Sequence, residues 1–204
     1  MFRLRPAVKK QIFARIEKHP PGWAFSAYDF IKDFHRREID ESLSYLTEDG
    51  KIRRVIRGIY DNPMYSELLN MNVAPDIDQV AHALARKFNW KLFPNGDTAL
   101  NYLGLSAQIA AKDLYLTDGP SNKYYVGKQC IEFKHISQKE TSLKYANTGL
   151  VIQSIKAIGE KQITQEFLDL LAQKFTKEEW AQIKTDASNS TGWVYKIIRV
   201  IGNG

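Results

Sequence analysis

The residues of this chain that could do chemistry divide into a basic group and a scatter of catalytic types. The basic group runs Lys51-Ile-Arg-Arg-Val-Ile-Arg-Gly-Ile-Tyr60, where Lys51, Arg53, Arg54 and Arg57 alternate with apolar residues in the period of a strand. Arginines on such a strand present donors suited to the phosphates of a nucleic acid backbone. Just upstream, Arg37, Glu41 and Ser44 share the polar face of a predicted helix, with Arg36 at its entry flank. Arginine at the start of a helix that enters the major groove pairs with guanine, and a carboxylate there accepts from a cytosine amino group. The catalytic types carry less. Asp76-Ile-Asp78 has the spacing by which nucleotidyltransferases hold two metal ions, but residues 62–72 contain no glycine for the triphosphate turn that should precede it. The pair reads instead as a helix cap with a charged first turn. His19, His35, His82 and His135 are scattered, and none shares a metal-ligand spacing with another or with Cys130. Cys130, in the alternating Gln129–Phe133 stretch, reads as packing. Ser106 lacks the second glycine of a nucleophile elbow, and Gly119-Pro-Ser-Asn-Lys123 reads as a turn, not a phosphate loop. The expectation is no catalysis, no metal and no cofactor.

The elements that must position the basic group follow from periodicity. Leu4, Val8, Ile12 and Ile16 place one stripe on a first helix over residues 4–19, which His19-Pro-Pro-Gly22 ends. Trp23-Ala-Phe25 is an apolar segment suited to a strand beside the later hairpin. Ser26 caps a second, short helix with Asp29 in its first turn. Ile39, Leu43 and Leu46 then give the next helix a buried stripe, and Asp49-Gly50 stops it. A helix pair followed at once by a basic hairpin is the layout of a winged helix-turn-helix DNA-binding domain. In its wing, Ile52 and one of Val55 or Ile56 should face inward while the arginines reach phosphates.

Residues 61–76 read as a connector whose Met64, Leu68, Leu69 and Met71 should dock on the fold, with a domain boundary near 65–75. Beyond it the pattern is mixed. Asp76 caps a helix through Phe88, Trp90–Phe93 is a short strand, and Thr98–Leu103 a compact helix. Leu114–Thr117, Lys123–Val126 and Gln129–His135 are three further strands. Helical stripes then follow at Leu150–Ile158, at Ile163–Leu171, after the capping box of Thr176 and Glu179, and from Val194 to Gly202. The fold class expected is α+β. Residues 1–65 should form a winged helix-turn-helix domain, and residues 70–204 an α/β domain with a small sheet and a helical C-terminal part.

Composition fits this division. The net charge is +6, and residues 1–60 hold thirteen Lys/Arg against eight Asp/Glu, so the basic excess lies at the front. No apolar run reaches the roughly 20 residues of a membrane span, and no signal peptide opens the chain. A single cysteine suits a reducing compartment, so a cytoplasmic protein without membrane contact is expected.

The stretch Lys51-Ile-Arg-Arg-Val-Ile-Arg-Gly-Ile-Tyr60 after a short helix pair resembles the N-terminal domain of AbiEi-type antitoxins of bacterial abortive-infection systems. Ala99-Leu-Asn-Tyr-Leu-Gly-Leu-Ser-Ala-Gln108 and Tyr115-Leu-Thr-Asp-Gly-Pro-Ser121 are similar to the middle domain of uncharacterised proteins grouped with them. The resemblance implies an antitoxin and transcriptional autoregulator of a type IV toxin–antitoxin system. Its partners would be double-stranded operator DNA and a nucleotidyltransferase toxin encoded beside it. It leaves the oligomeric state open, a homodimer on DNA being one arrangement. The DNA contacts expected are Arg36, Arg37, Glu41, Ser44, Lys51, Arg53, Arg54 and Arg57. The alternative is a protein-interaction module of a defence or mobile-element system without DNA binding, for which Glu38, Asp40 and Glu41 argue by repelling phosphate.

Overall fold

The computed structural model describes residues 6–106 and 113–201. Leu4 of the expected first helix, Gly202 at the expected end of the last, and Ala107 and Gln108 of the family motif lie outside them. The described residues form a mixed α+β protein whose contacts divide into two compact units. The first is residues 1–91 with 123–131, and the second 92–122 with 132–204.

In the first unit, α1 (Pro6–Ile16) leads to β1 (Ala24–Phe25), a 3-10 turn (Ala27–Phe30), α2 (Arg36–Glu48), β2 (Arg53–Ile56) and β3 (Ile59–Asp61). The 3-10 turn starts where expected. Ser26 accepts from the Tyr28 amide, and the Asp29 carboxylate accepts from the Ser26 amide at 2.8 Å, closing a capping box. The three strands form an antiparallel sheet in the order β1-β3-β2, so Ala24-Phe25 does pair with the hairpin. A bulge between Arg54 and Ile56 shifts the β2–β3 register. Ile39, Leu43 and Leu46 of α2 are buried with Ile12, Ile16, Phe25 and Phe30 in one core, which Ile52 joins. Each such side chain contributes about 1.5–3 kcal/mol by leaving water.

Two short strands, β4 (Tyr65–Ser66) and β5 (Met71–Asn72), then pair antiparallel. This corrects the expected connector. Leu68 is 94% exposed, and Met64, Leu69 and Met71 are exposed as well, so these side chains do not dock. A ribbon with two residues per strand has too little face to bury its own side chains. Its closure is polar, through the Tyr65 hydroxyl on Asn70 and the Ser66 hydroxyl on the Leu69 amide.

Helix α3 (Ile77–Phe88) belongs to this unit too, so the unit runs on past residues 65–75, where a boundary is expected from the sequence. Asp76 caps it, accepting from the amides of Asp78 and Gln79 at 2.9 and 3.2 Å. Its Arg86 donates to the Asp29 carboxylate at 2.6 Å and to the Ala24 carbonyl at 2.7 Å. These bonds tie the helix to the strand and turn that come more than fifty residues earlier. No local sequence pattern encodes such a contact.

The second unit contains β6 (Leu92–Pro94), α4 (Gly96–Tyr102) and β7 (Asp113–Thr117). Within it β6 and β7 pair antiparallel, Phe93 opposite Leu116. Residues 123–126 of β8 (Asn122–Val126) and the start of β9 (Gln129–His135) belong to the first unit, and only residues 132–135 of β9 to the second. A short α5 (Gln138–Thr141) precedes α6 (Ala146–Ile158), α7 (Gln165–Ala172), α8 (Lys177–Asp186) and α9 (Gly192–Ile201). The core of the unit gathers Leu100 and Leu103, Val151, Ile152 and Ile155, Leu171, Trp180 and Ile183, Val194 and Ile198. Gly96 lets α4 and α6 approach, since a Cβ there would stand 2.5 Å from the Cβ of Ala157. The capping box of Thr176 and Glu179 is present at the start of α8. At the other end of that helix, Asp186 accepts from the amides of Lys144 and Tyr145, just before α6.

Candidate nucleic-acid interface

The exposed side of α2 is organised by ion pairs one helical turn apart. Arg36 donates to Asp40 and Arg37 to Glu41, both at 2.8 Å, and Ser44 donates to Glu48 at 3.2 Å. The guanidinium groups remain open to water, with Arg37 72% exposed. Exposed pairs of this spacing are worth only about 0.3–0.5 kcal/mol, so either arginine can leave its carboxylate for a stronger acceptor. The pairs also neutralise Asp40 and Glu41, two of the carboxylates that argue against phosphate nearby.

On the hairpin, adjacent arginines have opposite fates because successive side chains leave a strand on opposite faces. Arg53 faces Asp61 across the ladder and forms a two-pronged ion pair with it, at 3.1 and 2.5 Å. Its third donor reaches the Val73 carbonyl at 2.9 Å. Asp61 is 1% exposed. Arg53 therefore holds a buried carboxylate and the chain after β5, a structural role beside the phosphate contact expected of it. Arg54 and Arg57 are exposed, and neither has a carboxylate partner among the described residues. Lys51 is exposed at the start of the hairpin.

Arg36, Arg54 and Arg57 are brought together around a cleft of about 450 Å³ in the first unit. Arg37, Glu41, Ser44 and Lys51 do not line it. The cleft gains a cation absent from the sequence reading, Lys87 at the end of α3. Lys87 stands thirty residues from Arg57 in the chain, and its Nζ lies 3.4 Å from the Arg57 carbonyl. Partial burial, then the positive charges of Arg36 and Arg57, lower its pKa below the ordinary lysine value. Gly58 makes the approach possible. It holds φ +76°, and a Cβ there would stand 2.9 Å from the Lys87 nitrogen. A side chain there would be strained by the backbone and would push the Lys87 ammonium aside.

Asp76 is the cap of α3, and Asp78 lies 3.7 Å from His82 one turn on. His19 stacks on Trp23, and the His135 ring bonds the Gly119 carbonyl at 2.9 Å. No helix of the described residues is long and apolar enough to cross a membrane.

Fold and site together define a mixed α+β protein whose basic residues are displayed by one helix and the hairpin that follows it. The chain belongs to the family of unknown function DUF6088, whose profile matches residues 11–183. No curated protein matches it.

Proposed function

We propose that the first unit is a winged helix-turn-helix that binds double-stranded DNA, and that the protein is an autoregulating antitoxin of an abortive-infection system. The observation that carries the DNA reading is the joint display of Arg36 and Arg37 at the start of α2 and of Arg54 and Arg57 on the hairpin, the last two without a carboxylate partner among the described residues. In this reading α2 is the recognition helix, β2 and β3 are the wing, and the base-reading residues are at the N-terminal end of α2. The supply of charge fits, because the basic excess of the chain lies in residues 1–60. The antitoxin role rests on the AbiEi-type resemblance of the wing stretch, with a neighbouring nucleotidyltransferase as the toxin.

Fluorescence anisotropy with the duplex upstream of the gene tests the first part. Tight binding that weakens steeply with salt, and exceeds binding to a scrambled duplex, is expected. Absence of binding to any duplex at low salt refutes it. Growth rescue on co-expression with the adjacent toxin tests the second part. A second reading, a protein-interaction module, is favoured by the exposed Met64, Tyr65, Leu68, Leu69 and Met71 around the β4–β5 ribbon. It predicts rescue without repression of the promoter.

A further inference from the structure

Helix α3 lies outside the helix pair and hairpin of the proposed DNA-binding unit, yet it delivers Lys87 into the cleft beside them. Four cations, Arg36, Arg54, Arg57 and Lys87, line this concavity against one carboxylate, Asp40. Asp40 is already held by Arg36 at 2.8 Å. The remaining three have no carboxylate partner among the described residues, and Lys87 meets only the Arg57 carbonyl and the face of Phe88. Tyr28, Tyr60 and Phe88 supply apolar walls. Like charges crowded into one concavity repel one another; the pKa of Lys87 is lowered first by its partial burial and then by the charges of Arg36 and Arg57. An anion placed among them removes the repulsion and gains charge-assisted hydrogen bonds.

We infer that this cleft is a phosphate-binding pocket, in which Lys87 joins Arg54 and Arg57 around one phosphate group and the aromatic walls flank the sugar beside it. A phosphate diester offers two unshared oxygens, which a guanidinium takes in pairs and an ammonium takes as a point charge. At about 450 Å³ the cleft exceeds what a phosphate fills and has room for a pentose. The phosphate source expected is the DNA backbone, since Arg36 on α2 and Arg54 and Arg57 on the hairpin belong to the same face. That choice of source rests on the DNA-binding reading. The pocket itself rests on the charges that line it, which a free phosphorylated molecule would satisfy by the same chemistry.

The test uses the full chain and compares wild type with Lys87→Gln, Lys87→Arg and, as a control, Lys177→Gln on the exposed start of α8. Duplex affinity is measured over a range of salt, and inorganic pyrophosphate is titrated while the Gly58 amide is followed by NMR. Lys87→Gln should weaken every duplex several-fold and reduce the log–log salt slope by about one. Lys87→Arg and the control should keep the slope, which separates charge from folding. If wild type binds no duplex but pyrophosphate moves Gly58, and Lys87→Gln abolishes that shift, the pocket stands with a free phosphate as its ligand and the DNA reading fails. If wild type binds duplex, Lys87→Gln keeps its slope and pyrophosphate leaves Gly58 unmoved, the pocket is overturned while the DNA reading survives.

Discussion

Arg53 and Arg54 are neighbours of one residue type whose roles separate because a strand sends them to opposite faces. Arg53 neutralises Asp61, a carboxylate almost wholly withdrawn from water. Arg53→Ala leaves that charge buried and unpaired, which should cost about 3 kcal/mol, the lower end of the range for breaking a buried pair because the guanidinium is partly wet. Urea denaturation should show this as a lower midpoint at unchanged m-value. Arg54→Ala should leave the midpoint in place and weaken duplex binding alike across sequences. Equal midpoints for the two variants would mean that Arg53 does not hold Asp61 in solution. Lys87 calls for the opposite sign. Its pKa is lowered in the folded chain from 10.5, so between the folded and unfolded values the unfolded chain binds more protons and stability rises with pH. Below the folded value both states are charged, and the penalty of burying that charge beside Arg36 and Arg57 is fully present. Lys87→Gln should therefore match or exceed wild-type stability at pH 7, and this advantage should shrink as pH rises through the alkaline window. A variant less stable than wild type at pH 7 would make Lys87 a structural tether.

At the scale of the element, α2 presents a buried stripe that holds the fold and an exposed side on which the proposed DNA readout would depend. Because Arg37 and Glu41 are paired only weakly, their replacement tests readout and not folding. Arg37→Ala should relax preference at one base pair of the operator, a loss of roughly 1–3 kcal/mol of discrimination. Glu41→Ala should release Arg37 and raise affinity for scrambled duplex. Uniform weakening by Arg37→Ala over a panel of single-base variants would mark it as a phosphate contact instead. In the second unit, Gly96→Ala would force α4 from α6 at the Ala157 contact, and overpacking of this kind typically costs about 1–3 kcal/mol. A thermal melt unchanged by Gly96→Ala would show that the helices can separate without loss. Much of this was legible beforehand. The period of Ile39, Leu43 and Leu46, the Ser26 and Thr176 caps and the apolar Trp23–Phe25 stretch each encode their outcome within a few residues. The pairing of Arg53 with Asp61 and the arrival of Lys87 at the cleft were not legible, since both depend on register or on packing across distant segments. The exposure of Leu68 was missed for a related reason: apolar character says that burial would be favourable, not that the chain supplies a surface to bury against.

For the whole molecule, the assignment of α3 decides what can fold and act alone. The sequence alone suggested a DNA-binding domain ending at residue 65, a cut that removes α3. In the folded chain the buried residues of α3, among them Val80, Ala81 and Leu84, accompany contacts of this helix with β1, β3 and the 3-10 turn. Arg86 supplies the Asp29 carboxylate and the Ala24 carbonyl with donors. Without α3, β1 loses its packed neighbour, and Asp29 keeps only its bonds to Ser26. A fragment of residues 1–65 should therefore melt well below a fragment of residues 1–91, and with lower cooperativity, by circular dichroism. It should also show the weaker salt dependence of a face that lacks Lys87. The longer fragment should keep duplex binding, since it retains Arg36, Arg37, Arg54, Arg57 and Lys87, and should give no protection against a toxin if antagonism lies in the second unit. Coincident melts for the two fragments would show that α3 merely leans on a domain already complete at residue 65.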